Sequence, residues 1–374
     1  MKQLLSVWGV ITTITTLLLA VAPAWAAPPT YSLTSLGLVS TRQICEGWQT
    51  PAGVGINDAG RVTGIYCLQN GTPQGELRGF LWTPQHGMVD LGLPSGVTDP
   101  TTLVLPSGIN ARGQIAGIVF NYPPSPRIED AFVWDRGSFN LIAPNVDAVA
   151  INDPGQVTGT LISNAHAFLF SHGTVRDLGV PPGAVQTNPN TINNLRHIAG
   201  SAGFPVPSPF YFSAVPVLWT GASWRVLGLP PTGDNNASAV SINNFDEIVG
   251  SSYNITNPGT SPSVYHAFLW SGGTYTVLPC VPGEYCGASS INDAGMIGGG
   301  TIFSDVGVVW FGGQPYDINT LVNPHDPLHG QMRLTGATLN ARGEILSNGI
   351  YTSGPNNGRF EVFVLSPSDT VAQQ

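Results

Sequence analysis

Lysine is almost absent from this chain, and charge of either sign is sparse. Lys2 is the only lysine among 374 residues, and charged residues make up 9% of the sequence, against about 25% in an ordinary soluble domain. A mature chain starting at Ala27 therefore has no lysine, which excludes Schiff-base and lysine-base chemistry. It keeps 12 arginines against 22 acidic residues, a net charge of −10 (12 − 22). With no basic stripe to neutralise phosphates, nucleic acid is a poor partner. Solubility has to come from uncharged polar side chains and loops.

Long apolar runs are missing too, except at the start. Met1-Lys2 precedes an apolar stretch from Leu4 to Ala22 that ends at Ala24-Trp25-Ala26. A basic start, an apolar centre and an Ala-x-Ala end read as a secretory signal peptide over 1–26, with cleavage after Ala26. No later segment approaches the roughly 20 apolar residues needed to span a bilayer. No cysteine lies near the cleavage point, so a lipoprotein anchor is not expected. The reading is a secreted protein, extracellular or periplasmic, and a monomer, with a polar tail over 367–374. Its four cysteines, Cys45, Cys67, Cys280 and Cys286, can be oxidised in that compartment. Three pairings are possible, and Cys45 with Cys67 and Cys280 with Cys286 is the economical one.

What the chain does have is a repeat. An aliphatic-Asn pair recurs seven times, at Ile56-Asn57, Ile109-Asn110, Ile151-Asn152, Ile192-Asn193, Ile242-Asn243, Ile291-Asn292 and Leu339-Asn340, at steps of 53, 42, 41, 50, 49 and 48 residues. Self-similarity at that period signals an array of supersecondary units. The residue before each aliphatic is small, from Gly55 to Thr338, and an aliphatic follows five residues after each Asn, from Val62 to Ile345. Two residues further on stands a glycine in six copies, with Ser347 as the exception. The unit describes a tight β-hairpin whose Asn and Asp side chains bond local backbone and whose turn glycine, such as Gly60, tolerates positive φ.

A third strand rich in aromatics follows each hairpin, as in Phe80-Leu81-Trp82 and Phe268-Leu269-Trp270, and such residues suit packing between sheets. A fourth strand follows in six repeats. The seventh is supplied by Tyr31 to Gly37, which has the same shape and precedes the first hairpin. Four strands per unit, about 50 residues per unit and a displaced terminal strand predict an all-β fold, a seven-bladed β-propeller over 27–366 in which strand 31–37 completes blade seven. A β-solenoid is the alternative, but it has no need of a borrowed outer strand.

At His166-Ala167-Phe168-Leu169-Phe170 and His266-Ala267-Phe268-Leu269-Trp270, with Asp177-Leu178-Gly179 and the Ile-Asn-Asp-x-Gly turns, the chain resembles the bacterial extracellular HAF-repeat family. The match covers essentially the whole mature chain. The resemblance implies an exported repeat protein and brings no established activity or site. The fourth, sixth and seventh copies depart from the motif, and Arg196 and Asp246 replace the turn glycine in copies four and five.

Candidate chemistry is thin. Asp58, Asp153 and Asp293 recur in the turns, where Asx-turn bonding to local backbone explains them without a ligand. Asp234-Asn235-Asn236 lacks the spacing of a calcium loop and reads as a surface turn. His166 and His266 each open an aromatic strand and are expected to bond a neighbouring blade, because no acid or nucleophile repeats beside them. Glu129-Asp130 and Asp246-Glu247 are expected to be solvated. His325, Asp326 and His329 have the residue types of a zinc site on a proline-containing loop without helical spacing, so no metal and no cofactor is expected. The chain contains no Gly-x-Ser-x-Gly elbow, His-Glu-x-x-His pair or phosphate-cradling glycine loop.

Strand direction puts the connections from strand two to three, and from strand four to the next blade, on one end of the ring. These long, variable connections carry Tyr122, Phe210, Tyr211, Phe212 and Tyr253. Exposed aromatics among neutral polar groups suit binding of a glycan or an extracellular protein. The expectation is a non-catalytic binding propeller; the alternative is an extracellular hydrolase or lyase with its site at the central channel.

Overall fold

The computed structural model describes residues 28–37, 52–68, 76–99, 102–121, 129–206, 212–221, 223–255 and 264–368. The expected signal peptide and all but two residues of the expected tail lie outside these. The described residues form seven four-stranded antiparallel sheets arranged as the blades of a β-propeller. Blades one to six span 52–90, 103–144, 146–177, 186–226, 236–277 and 286–317. Blade seven joins three strands within 332–367 to the N-terminal strand Tyr31–Ser35, which pairs antiparallel with Phe360–Pro367. The displaced strand thus closes the ring as expected. The last strand runs one residue into the expected tail, and Ser368 N–H donates to the Thr30 carbonyl at 2.7 Å.

Each first strand carries a register irregularity just before its Ile-Asn or Leu-Asn pair. The cause is local. In blade three the bulge turns the Asp147 carbonyl toward Gly159 on strand two, while Phe168 of strand three covers the same glycine; a Cβ at Gly159 would collide with both. The equivalent glycines, such as Gly117 and Gly250, meet the same pair of obstacles. Ser347 escapes because the irregularity in blade seven, between Thr335 and Thr338, skips two residues instead of one. Its hydroxyl then donates to the Thr335 carbonyl at 3.2 Å.

The core lies between blades, not within them. Ile56, Val62, Phe80 and Trp82 of blade one pack with Leu346, Val362 and Val364 of blade seven. Ala167 and Leu169 of blade three pack with Ile192, Val217 and Trp219 of blade four. Phe80, Phe132, Phe168, Phe268 and Phe363 on the third strands are fully buried, and each such side chain contributes roughly 1.5–3 kcal/mol of burial. Between blades six and seven a 3-10 turn, Ile318–Leu321, buries Ile318 and Leu321, and Asp317 caps it by accepting from Asn319 N–H. No described helix is long and apolar enough to cross a membrane.

Candidate functional site

The hairpin turns meet at one end of the ring and build a closed circuit of hydrogen bonds. Asn57 Nδ2 donates to the Asn110 carbonyl at 2.8 Å, Asn110 to Asn152, Asn152 to Asn193, Asn193 to Asn243, Asn243 to Asn292 and Asn292 to Asn340. Asn340 returns to the Asn57 carbonyl at 3.0 Å across 283 residues. The same side chains cap their own turns, since Asn152 Oδ1 accepts from Gln156 N–H and Asn193 Oδ1 from Leu195 and His197 N–H. All seven asparagines are buried. Their polar atoms are therefore committed to the scaffold.

One residue further on, the acidic side chains do not make the local Asx turns expected of them. Asp153 Oδ1 accepts from Ala111 N–H of the preceding blade at 2.8 Å, Asp293 Oδ1 from Asn244 N–H and Asp58 Oδ1 from Ala341 N–H. Asn194 and Asn244 accept in the same way from Asp153 and Asn194 N–H. Five blade junctions carry this link. It is missing at the other two, from blade one to two and from six to seven, because the accepting position there is Ala111 or Ala341. Asn already satisfies the turn, so the next side chain is free to reach sideways. The Ile-Asn-x segments of blades one to six and Leu339-Asn340-Ala341 of blade seven line an open cavity of about 210 Å³ at this mouth.

Blades four and five depart from the others at this end. Arg196 and Asp246 hold left-handed backbone (φ 70° and 61°) where other turns have glycine, a conformation that costs on the order of 1 kcal/mol for a residue with a Cβ. Asp246 accepts from Asn193 Nδ2 at 3.0 Å and contacts His197 Nδ1 at 2.8 Å, and Glu247 accepts from Asn243 Nδ2. This carboxylate pair is bonded, not solvated as expected. Asp246 ties blade five to blade four while Glu247 acts within its own turn.

The opposite, loop end holds the aromatics on which binding was expected to rest. Tyr122, Phe210 and Tyr211 lie outside the described residues. Tyr253 is half-buried in a cross-strand pair with Tyr265, ring centroids 5.2 Å apart, and burial followed by the neighbouring Tyr265 pushes its phenol upward. It covers the end of blade five. Phe212 is 43% exposed. Two aromatics that were not singled out stand out here: Tyr285 and Phe303 (63% exposed) meet edge to face at 6.0 Å. The Cys280–Cys286 disulfide closes the loop that carries Tyr285, Trp310 Nε1 donates to the Pro279 carbonyl at 2.7 Å, and Ile302 N–H donates to the Tyr285 carbonyl at 2.9 Å. Tyr285 sits between two cysteines and Phe303 lies in a connection from strand two to three, so the rule that picked out the other aromatics would have found both. Cys67 is buried, and its expected partner Cys45 lies outside the described residues.

Of the histidines at the starts of strands three, His166 bonds an acid of its own blade, contrary to expectation, and His266 bonds one in the connection from blade four to blade five. His166 Nδ1 lies 3.0 Å from Asp177 of blade three. His266 Nδ1 lies 2.8 Å from Asp234, which also accepts from Ser252 and Thr232 hydroxyls at 2.7 and 2.9 Å. Asp234 is thus buried and is no surface turn. Burial raises its carboxyl, but the hydrogen bonds from Ser252, His266 and Thr232 and the charge of His266 outweigh it and hold the pKa low. Asp177 is lowered likewise, burial being outweighed by bonds from Gly179, His166 and Asn164. Glu129 and Asp130 are half-buried, not solvated; burial raises Asp130, and burial with the Glu129 charge raises Asp147. Asp326 binds no cluster: its Oδ2 accepts from Leu33 N–H and its Oδ1 from Leu328 N–H, which fastens the N-terminal strand.

No protein-family model and no curated protein matches the chain. Among solved structures it is similar to the β-propeller domain of the Trilobed protease from Pyrococcus furiosus, described as having an open velcro topology (TM-score 0.56, 10% identity, covering 87% of this chain and 98% of that one). It is also similar to the acylaminoacyl peptidase of Pyrococcus horikoshii (TM-score 0.55, 9% identity), of which it spans about half, 51%, against 90% of itself. These likenesses concern the fold alone. In the present ring the velcro is closed by Tyr31–Ser35.

Proposed function

We propose that the chain is an exported, non-catalytic propeller that binds a carbohydrate or protein partner through its loop end. One observation supports this most: of 15 large hydrophobic side chains exposed among the described residues, seven stand in loop-end connections and an eighth, Phe212, at the loop end of a third strand, against five on outer strands and two on the turns. Val185, Val206, Phe212, Tyr285, Ile302 and Phe303 all belong to blades four to six, so the apolar surface favours one side of the ring. Exposed apolar side chains gathered on one side of a surface and rimmed by polar groups are a mark of binding sites. The disulfide and the Tyr285 carbonyl hold the Tyr285–Phe303 pair in place, so a partner need not order it on binding.

The test is a glycan and protein-partner screen with the mature chain from Ala27, followed by Phe212→Ala, Tyr285→Ala and Phe303→Ala. Loss of binding in these variants with an unchanged melting temperature supports the reading. Binding that survives all three overturns it. The hydrolase or lyase reading draws on one feature, a His266–Asp234 pair with Nδ1 2.8 Å from the buried carboxylate. Turnover of a screened glycan or peptide that disappears in His266→Ala would favour catalysis instead.

A further inference from the structure

The turn-end mouth has an asymmetry that the seven-fold repeat does not require. On the side running from blade two to blade six the second layer of links is continuous, through Asp153, Asn194, Asn244 and Asp293. On the side of blades six, seven, one and two it is broken at Ala111 and Ala341. The backbone N–H groups of Asp58 and Asp293 face those alanines and have no acceptor among the described residues, and only Oδ1 of Asp58 is engaged. Donors and an acceptor are thus left available along one arc of a cavity of about 210 Å³. On the opposite arc the two strained turns carry the only exposed large hydrophobics described at this end, Leu195 (55%) and Phe245 (71%), and neither lines the cavity.

We infer that this mouth binds one neutral sugar ring, a site separate from the loop end. A hydroxyl both donates and accepts, which matches backbone donors beside a free carboxylate oxygen. Acidic ligands are disfavoured, because Asp58, Asp153 and Asp293 line the mouth and like charges repel. A cation is a poor match, since Asp153 and Asp293 already use both carboxylate oxygens: Asp153 on Ala111 N–H and Asn194 Nδ2, Asp293 on Asn244 N–H and Nδ2.

The experiment is saturation-transfer NMR and titration of the mature protein with neutral monosaccharides, with glucuronic acid and glucosamine as charged comparisons. Neutral rings are expected to bind best. The double variant Ala111→Asn, Ala341→Asn completes the second layer and occupies both N–H donors; affinity should fall about tenfold with no loss in melting temperature. Asp58→Asn, which replaces the free carboxylate oxygen by an amide, should weaken binding several-fold, and Leu141→Ala on the outer strand of blade two should leave it unchanged. The inference is overturned if no neutral monosaccharide binds, if a charged sugar binds as well, or if binding is unaffected by both turn-end variants. Monosaccharide binding abolished by Phe303→Ala places the sugar at the loop end and overturns it too.

Discussion

At the turn end, seven blades present the same asparagine doing the same three things: capping its turn, donating to the next blade and filling the axis. At the loop end the connections vary in length and composition around the ring, and the anchoring devices differ: a disulfide and Trp310 in blade six, a buried Asp234–His266 pair where the chain enters blade five, Asp177–His166 in blade three. The difference shows how a repeat protein separates labour. A contact that must be made seven times around an axis has one geometry, so one residue type serves it. A connection that only has to return to the next blade is free to vary, and exposed apolar side chains accumulate there.

The comparison is broken most directly at the turn end. Asn152→Ala removes an inter-blade bond and a turn cap and leaves buried backbone groups unpaired; at about 1–3 kcal/mol per unsatisfied group, a loss of roughly 3 kcal/mol is expected, read from the urea midpoint. A loss below 1 kcal/mol would mean that the ring of bonds is incidental. Next comes the loop end's own buried group. Asp234→Asn weakens three charge-assisted bonds and should cost about 2 kcal/mol at neutral pH. Because the folded pKa values of Asp234 and Asp177 are depressed, their contribution is present above the unfolded value near 3.9 and is lost as pH falls through the folded values. Urea midpoints between pH 6 and 2 should therefore fall less steeply in Asp234→Asn than in the parent.

Two smaller effects sharpen the contrast. Ala111→Asn should add about 1 kcal/mol by supplying the missing acceptor for Asp58 N–H, a gain available only where the other blades define the target geometry; an unchanged or lowered midpoint counts against the second layer as a stabilising device. Phe303→Ala should change stability by less than about 0.5 kcal/mol while reducing partner binding. If it destabilises more, the exposed aromatic pair belongs to the fold and the loop end loses its strongest claim as a binding surface.

Much of the fold was legible because it is written locally. The hairpin recurs in all seven blades, the Gly opposite the bulge in six and the buried third-strand Phe in five, and counting the hairpins counts blades. Ser347 was visible as an exception, but its reason was not, since the two-residue irregularity at Thr335–Thr338 lies on the partner strand. The site was less legible. His266 and Asp234 are 32 residues apart, and nothing in either local motif announces the pairing. Asp58, Asp153 and Asp293 looked like ordinary turn residues because the atoms they bond belong to other repeats.

The amino-acid sequence alone determined the class, the number of blades and the borrowed closing strand, because each depends on short-range periodicity and on strands that must bury one another. Only the tertiary structure decided which polar groups remain available. That depends on which blade stands beside which, so that the same turn is satisfied next to Asp153 and left open next to Ala111.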